Sequence, residues 1–212
     1  MDITGGVTFT GGLSIAGPPP PSSYKAIFGY GTPTTAITNL VSNTGVVATN
    51  TTGVGTARYG LAAAGYGTDK AIFGYGDGPT NITNKVSNTG VVATDTTGVG
   101  TARRQLAACG YGTDKAIFGY GQTGSSTYTA ITNLVSNTGV IATDTTGVGT
   151  ARYNLAAAGY GVDTAIFGYG WQQTGTGLSV TNKVSNTGIV ATDTAGVGTA
   201  RYNLAAASYG LS

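Results

Sequence analysis

The chain has 212 residues and a formal net charge of +2, with no histidine, no glutamate and a single cysteine. Without His or Glu, catalytic triads, His-based metal sites and paired glutamates are excluded, and one cysteine excludes internal disulfides and cysteine-based zinc sites. So small a charge gives no reason to expect nucleic acid or membrane insertion, and no apolar run reaches the roughly 18 residues of a spanning helix.

The first element in chain order is an arm. From Gly5 to Ile15 apolar and polar residues alternate, which is the period of a half-buried strand and sets Val7, Phe9, Leu13 and Ile15 on one face. Residues 1–17 therefore read as an extended strand with no partner in its own segment. It suits pairing with a second copy or a larger protein assembly, since an added strand brings backbone hydrogen bonds; a disordered leader, or a strand laid on its own domain, is the alternative. The start, Met1–Thr4, lacks the basic residues and apolar run of a signal peptide, so secretion by that route is not expected. Pro18–Pro21 stiffens residues 18–23 into a polyproline spacer.

Residues 24–212 are a repeat. Ala-Ile-Phe-Gly-Tyr-Gly begins at Ala26, Ala71, Ala116 and Ala165, a period of 45 residues that lengthens to 49. Each unit reads as four strands. The first is the Ala-Ile-Phe strand, such as 70–75. Two more flank the Asn-Thr-Gly turn, such as 82–87 and 91–96, where the glycine supplies a positive φ. The last is the Ala-rich run after the arginine, such as 153–160, whose small residues suit a crowded axis. Thr, Val, Tyr and Gly throughout favour strands and turns over helices. Four strands in about 45 residues is the size of a propeller blade. The expected fold is all-β, a four-bladed β-propeller with an N-terminal strand arm. The last Ala-rich strand would complete the blade that the first three strands begin and so close the ring. Two chains pooling their units into one larger ring is the rival geometry.

The order of Arg, small apolar strand, and aliphatic–aromatic strand ending in glycines resembles a kelch-type propeller repeat over residues 24–210. Phe-Gly-Tyr-Gly stands where kelch has its glycine pair, and the kelch tryptophan is missing. The Gly/Thr/Asn-rich texture is similar to that of structural and fibre proteins of bacteriophage virions. These resemblances imply a propeller and a role on a virion or other extracellular surface.

Comparison of the four copies separates constrained from free positions. The loop after Phe-Gly-Tyr-Gly differs in every copy: 32–36, 77–81, 122–130 and 171–179, the last two carrying four extra residues each. It should share one rim with the Gly-Val-Gly-Thr-Ala-Arg connection between blades, where loops on a rigid scaffold serve recognition. Candidate ligand contacts on that rim are Trp171, Gln172, Gln173, Tyr128, Gln122 and Asp77. An aromatic face beside amides suits a glycan, and drift in unconstrained loops is the bland alternative. Arg58, Arg103, Arg152 and Arg201 would either ring the axis and hold an anion, or brace blade junctions by pairing with the loop aspartate eight residues earlier. All eight acidic residues are Asp, mostly in turns that they can cap, and one carboxylate per loop is poor for calcium, so no metal or cofactor is expected. Cys109 stands where other copies have Ala64, Ala158 and Ala207, and reads as a small core filler. The functional expectation is a non-enzymatic structural or adhesive subunit, such as a phage fibre or decoration protein. A free-standing lectin-like module and a filament subunit that polymerises by strand exchange are the alternatives.

Overall fold

A computed structural model describes residues 25–209, and within them every regular element is a β-strand. The arm, its face of Val7, Phe9, Leu13 and Ile15, and the proline spacer lie outside the described residues. The chain is all-β, with several small antiparallel sheets that follow the sequence repeat.

In the first unit β1 (Ala26–Gly31) pairs with β2 (Thr35–Val41). The second stacks β3 (Ala62–Tyr66), β4 (Lys70–Gly74) and β5 (Thr83–Val86) in that order. The third has β6 (Ala107–Tyr111), β7 (Lys115–Gly119) and, beyond the inserted hairpin β8 (Gln122–Gly124) and β9 (Thr127–Tyr128), the strand β10 (Thr132–Val135). The fourth has β11 (Arg152–Tyr153), β12 (Ala156–Tyr160), a long β13 (Thr164–Gln172) and β14 (Gly177–Val184). Here the insertion extends the ladder, setting Trp171 opposite both Tyr153 and Gly177. Register repeats from unit to unit: Ala64 faces Ile72, Cys109 faces Ile117 and Ala158 faces Ile166. Cys109 is buried there, as a small filler should be.

The strand expected after each Asn-Thr-Gly turn is reduced to two bridges, for example Val86 with Val92 and Thr83 with Thr96. Between those bridges the outer segment advances four residues while its partner advances three. A bulge results, and an edge segment that carries one residue too many cannot form a regular ladder. The surplus turns the Asp95 side chain back toward Asn84, 2.9 Å away.

Successive sheets pack face to face. Phe73 lies against Gly29, Phe118 against Gly74 and Phe167 against Gly119, where an added Cβ would come within 3.0, 2.8 and 2.6 Å of the ring. Only glycine leaves room for the next unit's ring. Each ring also meets the preceding unit's tyrosine, with centroids 5.1–5.2 Å apart: Tyr30–Phe73, Tyr75–Phe118 and Tyr120–Phe167. The core is therefore built between units rather than within them, and a lone unit could not bury its own Phe. The Ala-rich strands β3, β6 and β12 lie side by side, joined by Gly67 N–H to the Asp114 carbonyl and Gly112 N–H to the Asp163 carbonyl, both 2.6 Å.

Among the described residues no sheet is closed onto another. Strand β1 pairs with β2 alone. The last Ala-rich run, 205–208, continues the inner series beside β12, with Ser208 Oγ donating to the Gly159 carbonyl at 2.7 Å.

Candidate binding rim and inter-unit clasps

Burial decides what the arginines can do. Arg58, Arg103 and Arg152 are 2%, 0% and 0% exposed, so three of the four expected rim cations are not available to a ligand; Arg201 is exposed. Each buried guanidinium lies over a tyrosine of its own joint at 4.1–4.4 Å: Arg58 on Tyr30, Arg103 on Tyr75 and Arg152 on Tyr120. Burial pulls all three pKa values below the ordinary arginine value, against the opposing pull of tyrosine and aspartate.

Their side-chain hydrogen-bond partners belong to the next unit. Arg103 donates through Nη2 to Asn133 Oδ1 at 2.6 Å and through Nη1 to the Thr101 carbonyl at 3.0 Å. Asn133 donates to Asp144 Oδ1 at 2.9 Å, and Asp144 also accepts from the Thr101 amide and from Thr101 Oγ1 at 2.7 Å. The same clasp joins Thr56 and Arg58 to Asn84 and Asp95, and Thr150 and Arg152 to Asn182 and Asp193. The arginines thus brace junctions, but not through the aspartate eight residues earlier. The Gly-Val-Gly-Thr-Ala-Arg segment crosses the seam, so Arg103 comes close to Asp144 rather than Asp95. For the clasp aspartates burial is the largest influence and raises the pKa; the Thr and Asn donors and the arginine charge outweigh it and hold the carboxyl below its usual value.

The variable loops and the residues after each arginine do meet at one end of the units. Their backbone is fixed by a ladder: Gln105 N–H donates to the Gly60 carbonyl, Asn154 N–H to Gln105 and Asn203 N–H to Asn154, at 2.6–2.9 Å. On it stand two pairs of aromatic rings. Tyr128 stacks on Tyr153 with centroids 4.7 Å apart, Tyr153 is directly opposite Trp171, and Trp171 meets Tyr202 edge-on at 4.5 Å. Gln172 is half-buried and donates to Thr176, whereas Gln173 is exposed. Asp77 pairs with Arg104, and Tyr59 and then Arg104 hold its carboxyl below the ordinary range. Gln122 is buried, accepting from Arg104 Nε and donating to the Ser125 carbonyl, so it supports the β8–β9 hairpin rather than facing solvent.

The rim residues missed in the sequence are Tyr59, Arg104, Tyr153 and Tyr202, the position just after each clasp arginine. A signal was present. Arg104 stands where the adjacent loops begin with Asp77 and Gln122, Tyr153 and Tyr202 where they bring Tyr128 and Trp171, and Tyr59 lies beside Asp77.

A cavity of about 1060 Å³ opens between the Ala-rich strands, lined among others by Tyr66, Tyr111, Tyr160, Lys70, Lys115 and Asp163. Lys70 pairs with Asp69 and Lys115 with Asp114. No three of His, Cys, Asp or Glu come together among the described residues.

No protein-family model matches the chain, and no curated protein matches it. Among solved structures, that of YjhT superposes with a TM-score of 0.55 at 12% identity, over 71% of this chain and 49% of that one. The chain thus spans about half of that structure, and the likeness is one of fold alone.

Proposed function

We propose that the chain is a non-catalytic, propeller-type scaffold that attaches a larger particle, such as a virion, to a glycan-bearing surface. In this reading the four units are blades, the arm of residues 1–17 anchors the particle, and the variable rim faces outward. One observation carries it: the loops that differ most between the units lie where Tyr128, Tyr153, Trp171 and Tyr202 come together. Tyr128 with Tyr153 and Trp171 with Tyr202 form two ring pairs, set side by side by the Tyr153–Trp171 register at half-buried to exposed positions beside Gln173. Ring faces beside amides bind sugars by stacking and by hydrogen bonds to hydroxyls. The carboxylates that a hydrolase would need are otherwise engaged, Asp95, Asp144 and Asp193 each accepting from Thr and Asn. The same rings favour a lectin-like module as the second reading, with no particle attached.

A loop exchange tests this. Residues 171–179 are replaced by the 77–81 sequence, which shortens the loop to the length that the second unit already carries. Retention on a panel of immobilised polysaccharides should change in strength or preference while thermal stability stays within a few degrees. Retention indifferent to the exchange would remove the rim from the function.

A further inference from the structure

We propose that the two end faces of the unit array bind each other between two copies of this chain, joining eight units in one ring. Inside the chain the same joint is made three times, so both of its halves are known. The leading half supplies a glycine, a tyrosine, a threonine and an arginine: Gly74, Tyr75, Thr101 and Arg103 at the central joint. The following half supplies a phenylalanine, an asparagine and an aspartate: Phe118, Asn133 and Asp144.

Among the described residues, three joints between four units leave one half of each kind unmatched. On unit 1 the following half is open. Phe28 is 62% exposed, where Phe73, Phe118 and Phe167 are at most 4% exposed. On unit 4 the leading half is open. A Cβ at Gly168 would meet only the Thr181 methyl at 3.4 Å and no ring, Arg201 is exposed, and Val197 is 90% exposed.

Both halves are nevertheless formed as at the filled joints. Arg201 lies over Tyr169 at 4.0 Å, and Tyr169 donates to the Val197 carbonyl as Tyr120 does to Val148. Asn39 donates to Asn50 Oδ1 at 2.9 Å, which repeats the Asn84–Asp95 geometry. That leaves Asn39 Oδ1 as the acceptor for Arg201, in the role that Asn84 plays for Arg58.

Because the two faces differ, the contact is head to tail and must either close or run on as a filament. Rings of blades hold roughly four to eight, and two copies of four units reach that upper size. The count of eight rests on the blade reading; the end-to-end joint rests only on the three internal joints. The new joint is weaker than these in one respect. Asn50 stands where the other units have Asp, so it offers one acceptor oxygen where the Thr199 amide and hydroxyl need two. Assembly should therefore be reversible and depend on concentration.

The test is the molar mass of the full chain by sedimentation equilibrium across a concentration series. The expected result is twice 21.0 kDa, falling toward one chain on dilution. Phe28→Asp and Gly168→Trp alter open faces only and should each give a folded single chain. Mixed together they should recover a two-chain species, because each keeps the half that the other has lost. Asn50→Asp should tighten assembly roughly tenfold, the worth of one added charge-assisted hydrogen bond. A single chain at every concentration, also for Asn50→Asp, would overturn the proposal and point to a face covered within the chain. A two-chain mass unchanged by Phe28→Asp and Gly168→Trp would overturn it as well, and growth without limit would overturn the eight-unit ring. None of these outcomes depends on whether the rim binds a glycan.

Discussion

Phe118→Ala isolates the joint between the second and third units. The ring is 0% exposed, its edge seated on Gly74 and its centroid 5.2 Å from that of Tyr75. Truncating a buried Phe to Ala costs about 3–5 kcal/mol from lost transfer energy and the cavity left behind. For a domain of this size each kcal/mol lowers Tm by about 2–4 °C, so the expected drop is roughly 6–20 °C. Gly74→Ala attacks the same contact from the other side. Its Cβ would lie 2.8 Å from the ring, and such overpacking costs about 1–3 kcal/mol. Combined, the two changes should cost less than their sum by about 1–2 kcal/mol, because the new methyl enters the space the ring has left. Urea unfolding followed by circular dichroism reads all three variants. Strict additivity, or a loss below about 1 kcal/mol for Phe118→Ala, would refute face-to-face packing.

Other outcomes follow from the clasps and the buried thiol. Asp144→Ala should lower stability by about 1 kcal/mol, since it removes the acceptor of the Thr101 amide and of an Asn133 donor at a site water can reach, and adding Thr101→Val should cost little more in a thermal melt. Because the clasp aspartates have pKa values below the ordinary one when folded, their contribution is complete above the unfolded value of about 3.9 and is lost as pH falls through the folded value. Tm should therefore be flat from about pH 5 to 8 and fall below about pH 4, with Asp144→Asn flattening that acid limb. Burial pushes the Cys109 thiol up to about 12, so a thiol reagent at about pH 8 should label the unfolded chain and leave the folded one unmodified.

The repeat made much of this legible in the sequence. Identical strings at a fixed period place β1, β4, β7 and the start of β13. Asn-Thr-Gly marks each turn, with only its glycine taking a positive φ, 79° at Gly45 and 84° at Gly90. The shared rim was also readable, because antiparallel strands return alternate loops to one end. The arginines were not placed correctly because nearness along the chain misleads at a crossover. Arg103 is eight residues from Asp95, yet its segment has already passed into the next seam. The bulged edge was hidden for a different reason. Val91–Thr96 has the composition of a strand, and only the count of residues between its two bridges shows that one is surplus. Closure was beyond local pattern altogether. The run 205–208 repeats the Ala-rich strands closely, but what it pairs with depends on the angle accumulated over four units.

In the proposed function the rim binds a polysaccharide and leaves it uncut. This function is tested most directly by one incubation of the full chain with a panel of surface polysaccharides, reading retention and polymer length on the same samples. The expected result is retention of at least one polymer, lost in a folded Trp171→Ala variant, with every polymer's length unchanged after prolonged contact. Shortened polymer, or retention that Trp171→Ala leaves intact, would contradict it.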